Sequence, residues 1–174
     1  MLSKIAKFEK ISWEQFLKDF TNYYPEKDEE ELKEIYDNIQ LPRRATTGSA
    51  GYDFFLPVVP VIIKRNETMV IPTGIKCKIE EGWVLNIYPR SSFGFKQGLS
   101  LANTVGIIDA DYYNNKNNEG HIFVKLCNSN QAFVGSAVNI EKKVAFCQGV
   151  FLPFGITEDD SSDACRTGGI GSTN

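Results

Sequence analysis

Two carboxylates stand one residue apart in Gly106-Ile107-Ile108-Asp109-Ala110-Asp111-Tyr112, behind a short apolar run and ahead of an aromatic ring. On an extended chain residues i and i+2 share a face, so this pair can hold a proton or a water together; a β-turn with two acidic residues is the plainer alternative. A second group, Pro89-Arg90-Ser91-Ser92-Phe93-Gly94-Phe95-Lys96-Gln97-Gly98, offers a guanidinium, two hydroxyls and flexible amides. At a strand exit these can cradle phosphate, the alternative being a turn into a short helix. Arg44-Ala45-Thr46-Thr47-Gly48-Ser49-Ala50-Gly51-Tyr52-Asp53 reads as a flexible turn followed by a lone strand carboxylate. The chain ends in Arg166-Thr167-Gly168-Gly169-Ile170-Gly171-Ser172-Thr173-Asn174, one arginine heading a glycine-rich backbone that can approach phosphates closely. A plain disordered tail is the alternative there.

Metal chemistry has no dedicated ligand set. The four cysteines, Cys77, Cys127, Cys147 and Cys165, lie far apart with no C-x-x-C pair, and His121 is the single histidine. Reduced, buried thiols are expected, and any metal must arrive with its ligand.

The elements that must place these groups are short strands. From Arg43 onward apolar runs are punctuated by Gly, Pro and Asn, with candidate strands at 51–56, 58–64, 67–71, 74–79, 83–88, 99–101, 105–108, 121–127, 134–140 and 144–152. Such close spacing argues for an all-β sandwich or barrel and against βαβ units. Ahead of them, Ser12-Trp13-Glu14-Gln15 fits a capping box, and Trp13, Phe16, Leu17 and Phe20 form a helical stripe. A second helix is expected from Asp28, with Glu31 three residues on and Leu32, Ile35, Tyr36 and Ile39 as its apolar face, closed by Leu41-Pro42. The organisation is therefore a helical appendage over 1–42, a β domain over 43–157 and a flexible arm over 158–174. The appendage reads as packed structure, with a partner-binding arm as the alternative.

At 174 residues and 42% hydrophobic, the chain can fold as one soluble domain without disulfides. Its longest apolar stretch, Val58-Val59-Pro60-Val61-Ile62-Ile63, is too short to span a membrane. Met1 to Lys10 has no signal-peptide core, so a cytoplasmic location is expected. The net charge of −3 divides into −4 over 1–42, +4 over 43–157 and −3 over 158–174. A mildly basic body without a Lys/Arg stripe suits a small polyanion and no nucleic acid polymer.

In this order the motifs resemble those of the dUTP diphosphatase (dUTPase) family of homotrimers, over residues 43–174. Phe146-Cys147-Gln148-Gly149-Val150-Phe151 matches the glutamine of a further family motif. The chain departs from the family in three places. Val144 and Ala145 stand where a basic residue is common, with Lys142 and Lys143 displaced. Arg166 lies one residue nearer the glycines than in many members, and Ile170 replaces the usual phenylalanine.

The resemblance implies a mainly β, jelly-roll-like barrel of the dUTPase type, with three sites at subunit interfaces of a homotrimer. It implies hydrolysis of dUTP to dUMP and pyrophosphate, which keeps dUTP low and supplies dUMP for thymidylate synthesis. In that scheme Asp109 activates the water that attacks the α-phosphorus, and Arg166 closes over the terminal phosphate from a neighbouring subunit. Tyr112 packs on the deoxyribose and leaves no room for a 2′-hydroxyl. Asn103 and neighbouring backbone, Gly106 included, read the uracil edge from a β-hairpin over 101–112. Arg90, Ser91, Ser92 and Gln148 contact the phosphates, Gly169, Ile170, Gly171 and Ser172 cover the nucleotide, and Asp53 reaches Mg2+ through its waters. Magnesium needs few protein ligands when the triphosphate carries it. Two alternatives stay open. A dCTP deaminase would need a glutamate near the end of the third motif, where Asp109-Ala110-Asp111-Tyr112 stands. A dUTPase-like regulatory protein, switched by nucleotide occupancy, would use the N-terminal helices and acidic linker to meet a partner.

Overall fold

The computed structural model describes residues 3–129 and 137–163. The chain runs β1 (Ala6–Lys10), α1 (Trp13–Tyr23), α2 (Glu29–Asp37), β2 (Arg43–Arg44), β3 (Tyr52–Phe55), β4 (Val61–Ile63), β5 (Thr68–Pro72), β6 (Ile75–Ile79) and β7 (Trp83–Pro89). There follow α3 (Ser91–Gln97), β8 (Leu99–Leu101), β9 (Gly106–Ile108), a 3-10 turn over Ala110–Tyr112, β10 (Phe123–Asn128), β11 (Val138–Ile140) and β12 (Ala145–Pro153).

Among the described residues every ladder is antiparallel, and only β2 and β3 pair as neighbours in the chain; the others join strands remote in sequence. The largest sheet has the order β2-β3-β12-β7-β9; the others are β5-β10-β8, β1-β6 and β11-β4. The mainly β, jelly-roll-type expectation holds, but the described residues form separate sheets and no closed barrel. Strands of two or three residues, such as β2, β4, β8, β9 and β11, end before their ladders can join around a circumference. Alternation builds the core: Val61 and Ile63 of β4 point inward and are buried, while Ile62 between them is 54% exposed. Phe54, Leu85, Ile87, Leu126 and Phe146 fill the space between the sheets. No helix among the described residues is long and apolar enough to cross a membrane.

Each strand expected from sequence appears, most of them trimmed, and residues 130–136 lie outside the described set. Two strands were not expected, β1 and β2. In β1 the period-2 pattern of Ala6, Phe8 and Lys10 is masked by lysine and glutamate, and only the register against β6 makes it a strand. Phe8 then lands against Tyr52, Phe54 and Phe151, with ring centroids 5.4–5.8 Å away.

Both N-terminal helices form, for reasons close to those read from sequence. Asp28 and Glu31 make the reciprocal capping box of α2. At α1 the box is half foreign: Ser12 Oγ accepts from Gln15 N–H, but Ser12 N–H is satisfied by Glu119, while the Gln15 amide turns to Asp19. Phe16 and Phe20 are fully buried with ring centroids 3.8 Å apart, and Ile11, Tyr24, Leu32 and Val58 complete this second core. Burying each phenylalanine is worth roughly 1.5–3 kcal/mol, enough to pin a short helix pair to the sheets.

Candidate active site

Register across three neighbouring strands gathers the first set of polar groups. Gln148 on β12 pairs with Asp53 on β3 and with Tyr88 on β7, so all three share one sheet end. Arg90 leaves β7 just beyond them, and its Nε lies 3.3 Å from Asp53 Oδ1, with the two side chains 37% and 15% exposed. That ion pair orients the guanidinium more than it stabilises the fold, since so exposed a pair contributes little. Gln148 Nε2 donates to the Pro89 carbonyl at 3.4 Å. Its Oε1 lies 2.5 Å from where a Cβ on residue 51 would stand, so Gly51 is what lets the amide lie over this turn. Arg44 braces the same turn by donating to the carbonyls of Thr47 and Ser49.

Phe93, 5% exposed, anchors α3 in the core and thereby turns Ser91 and Ser92 to solvent beside Arg90. An open groove of about 470 Å³ runs here, bordered by Arg90, Ser92, Asn139 and Lys142. Lys142, one of the two displaced lysines, thus borders the groove of Arg90 and Ser92. The chemistry on offer is anion binding: one guanidinium, one ammonium, hydroxyls and an amide.

The second set lies on the segment from β8 to the 3-10 turn. It is not the β-hairpin expected over 101–112, because β8 pairs with β10 whereas β9 pairs with β7. The crossing between the two sheets is tight. Val105 N–H donates to the Asn103 carbonyl at 2.7 Å around Thr104, whose φ is +65°. A β-branched residue in that γ-turn geometry is strained, which fixes the Asn103 backbone in one conformation. Gly106 packs closely opposite Ile87: a Cβ there would come within 3.2 Å of the Ile87 Cβ, so any side chain would push β9 and β7 apart by a few tenths of an ångström.

Asp109 is extended and half-buried, its carbonyl accepting from Tyr112 N–H at 3.2 Å. Asp111 lies inside the 3-10 turn and is exposed, so the two carboxylates do not share a strand face as the alternation had suggested. Tyr112 is 5% exposed, and its hydroxyl donates to the His121 carbonyl at 2.8 Å while accepting from Asn118 Nδ2 at 2.8 Å. The ring is therefore a fixed wall and not a mobile lid. Asn118 was not singled out from sequence, and Arg44 entered only as the head of a flexible turn. The Asn-rich run 114–118 before Glu119-Gly120 was the available signal, a turn that must close on something.

The structure does not bring the two sets together within one chain. Ile108 pairs with Leu85, so Asp109 stands level with Val84, six residues along β7 from Arg90. At the rise of an antiparallel strand that is about 20 Å. Arg166, Gly169, Ile170, Gly171 and Ser172 lie outside the described residues, as does Cys165.

Cys77, Cys127 and Cys147 are free thiols; Cys77 and Cys147 are buried as expected, whereas Cys127 is only half-buried. Burial pushes Cys77 up to about 12, and burial, aided by the charge of Asp53, holds Cys147 well above the usual thiol value. Both are inert as nucleophiles or ligands. Among the described residues no group of three or more His, Cys, Asp or Glu side chains could hold a metal ion. A hydrated magnesium carried by a triphosphate would need few protein ligands and would fit this donor set.

A dUTPase family model matches residues 37–173. The deoxyuridine 5′-triphosphate nucleotidohydrolase of Lactococcus lactis is 45% identical over 137 residues, covering 78% of this chain and 88% of that protein. A crystal structure of dUTPase from Streptococcus mutans superposes with a TM-score of 0.63 at 37% identity, covering 87% of this chain and 98% of that one. A dUTPase from phage phi11 of S. aureus, described with a structural Mg(II) ion, shares the fold at a TM-score of 0.63 and 20% identity, covering 92% and 98% of the two chains.

Proposed function

Because the chain belongs to the dUTPase family, we propose that it hydrolyses dUTP to dUMP and pyrophosphate at sites built from more than one subunit. The observation that carries this reading is the separation of its two polar sets. Asp53, Arg90 and Gln148 form an anion-binding end, and Asp109 lies about 20 Å away on the same sheet. A triphosphate cannot bridge that span while being attacked at its α-phosphorus, so the base and the phosphate grip on one ligand belong to different copies. Ile107, 64% exposed on the edge strand β9, and Phe95, 92% exposed on α3, are apolar surfaces that such an assembly would cover. A homotrimer satisfies this with three equivalent sites.

In the reaction Asp109 orients a water and takes its proton as it attacks the α-phosphorus. Arg90, Ser91, Ser92 and Gln148 hold the phosphates, with Lys142 at the border of the same groove, and Arg166 from the tail closes on the terminal phosphate. When bound, magnesium supplies Lewis-acid neutralisation of the phosphate oxygens, with Asp53 meeting its hydration shell. The strained turn at Asn103–Val105 presents fixed backbone groups to the uracil edge, so cytosine leaves polar groups unpaired. Tyr112 presents its fixed ring to the sugar, where a 2′-hydroxyl would collide. Gly169, Ile170, Gly171 and Ser172 cover the nucleotide. The free thiols of Cys77, Cys127 and Cys147 suit a reducing compartment such as the cytosol.

The deaminase and purely regulatory alternatives find no support in the relatives, which are named as nucleotidohydrolases. Pyrophosphate and ammonia release from dUTP, dTTP, dCTP and UTP, measured side by side, test the reading. Pyrophosphate from dUTP alone is expected; ammonia from dCTP overturns it.

A further inference from the structure

Residues 113–121, directly after Tyr112, form a loop held from two sides. On its inner side Asn118 and the His121 carbonyl grip the Tyr112 hydroxyl, and Asn115 Nδ2 donates to the Tyr112 carbonyl at 2.8 Å. Gly120, at φ +81°, lies so close that a Cβ there would stand 2.6 Å from the Tyr112 carbonyl oxygen. The loop can therefore not shift without moving the ring. On its outer side the anchors come from the N-terminal segment and from residues 74 and 76. Tyr113 donates to Glu9, Ser12 N–H and Oγ donate to the two oxygens of Glu119 at 3.0 and 2.5 Å, and His121 Nδ1 meets Asp19 Oδ2 at 2.7 Å. Lys76 donates to Asn114 and Glu119. Gly74 N–H donates to His121 Nε2, so the ring proton sits on Nδ1 and is given to Asp19. His121 is fully buried and Asp19 9% exposed, so this bond is shielded from competing water.

The segment supplying these anchors precedes residues 37–173, the part matched by the family. We propose that residues 9–19 are a specificity-positioning element: through Asp19–His121 and Ser12–Glu119 they fix the 113–121 loop, whose Asn118 holds the Tyr112 ring against the sugar. Asn118, Asp19 and Ser12 are then positioning residues that tune the deoxyribose preference without touching the nucleotide. This rests on the reading in which Tyr112 faces the sugar.

The test measures kcat/KM for dUTP and UTP in the full-length assembly. Asn118→Asp keeps the acceptor used by Asn115 and Gly120 but cannot donate to the Tyr112 hydroxyl. It should lower the dUTP/UTP ratio about fivefold, the effect of one neutral hydrogen bond, while dUTP turnover changes less. Tyr112→Phe, which also loses the bond to the His121 carbonyl, should give at least as large a fall, and the double variant no further fall than Tyr112→Phe alone. Asp19→Ala should lower the ratio from a distance, and Asp19→Asn, whose Oδ1 still accepts from His121, should restore it; Ser12→Ala serves where Asp19→Ala fails to fold. An unchanged ratio in Asn118→Asp and in the Asp19 or Ser12 variant, alongside a collapse in Tyr112→Ala, overturns the inference and leaves the Tyr112 reading intact. An unchanged ratio in Tyr112→Ala removes that reading and the inference with it.

Discussion

Mixing two crippled variants should restore activity that neither has alone. Asp109→Asn removes the base and Arg90→Gln weakens the phosphate grip, each expected to cost about 10²–10⁴-fold in kcat. Neither should unfold the chain, because Asp109 is only half-buried and the Asp53–Arg90 pair is exposed enough to contribute at most about 1 kcal/mol. The register of β9 on β7 holds Asp109 and Arg90 about 20 Å apart in one chain, so each site draws them from two different copies. When equal amounts of the variants are unfolded together and reassembled at random, a given site receives its base from an Arg90→Gln chain half the time. It receives its guanidinium from an Asp109→Asn chain half the time, so about a quarter of the wild-type sites should be intact. Pyrophosphate release at saturating dUTP reads this directly, with each variant carried through the same cycle alone as the background. If both groups acted within one chain, every site in the mixture would carry a defect. Activity remaining at background after reassembly, with assemblies of the expected mass recovered, would refute the shared-site argument.

Gly51→Ala should leave thermal stability within a few degrees yet raise the KM for dUTP several-fold, because the new Cβ meets only the mobile end of Gln148 and displaces its amide. Unfolding titrations from pH 8 to 5 should show stability falling as pH drops below the ordinary histidine value of 6.5. Burial lowers the His121 pKa in the folded state despite Asp19, so the unfolded chain takes up the proton first, and His121→Gln should flatten that slope. A slope unchanged in His121→Gln assigns it to other groups. Deleting residues 164–174 should lower kcat about 10²-fold or more with less effect on assembly, as sedimentation and turnover together would show. Ile170→Phe should tighten dUTP or speed turnover a few-fold, by about 0.5–1.5 kcal/mol of added stacking. A fall in kcat/KM would mean that Ile170 does not lie over the base.

Much of this protein was legible from its residues. The short apolar runs punctuated by Gly, Pro and Asn after Arg43 placed the strands, because a run and the turn residues that bound it are local signals. Asp28 and Glu31 announced α2, because a capping box is closed within four residues. The motif order around Asp53, Arg90, Asp109 and Gln148 resembles that of the dUTPase family, and the resemblance implies nucleotide hydrolysis. What lay beyond sequence were the contacts whose partners are remote. The Ser12 cap is completed by Glu119, 107 positions away, and the sole histidine finds Asp19 at 102 positions, so neither pairing leaves a local pattern. Strand β1 is invisible without β6 beside it, and the segment 101–112 looks like a hairpin until β10 and β7 claim its two arms separately. Residue type and spacing determined which chemistry this chain can do; only the ladder register decided that Asp109 and Arg90 stand at opposite ends of β7, because one hydrogen-bonded step on a strand moves a side chain by about 3.3 Å along the sheet.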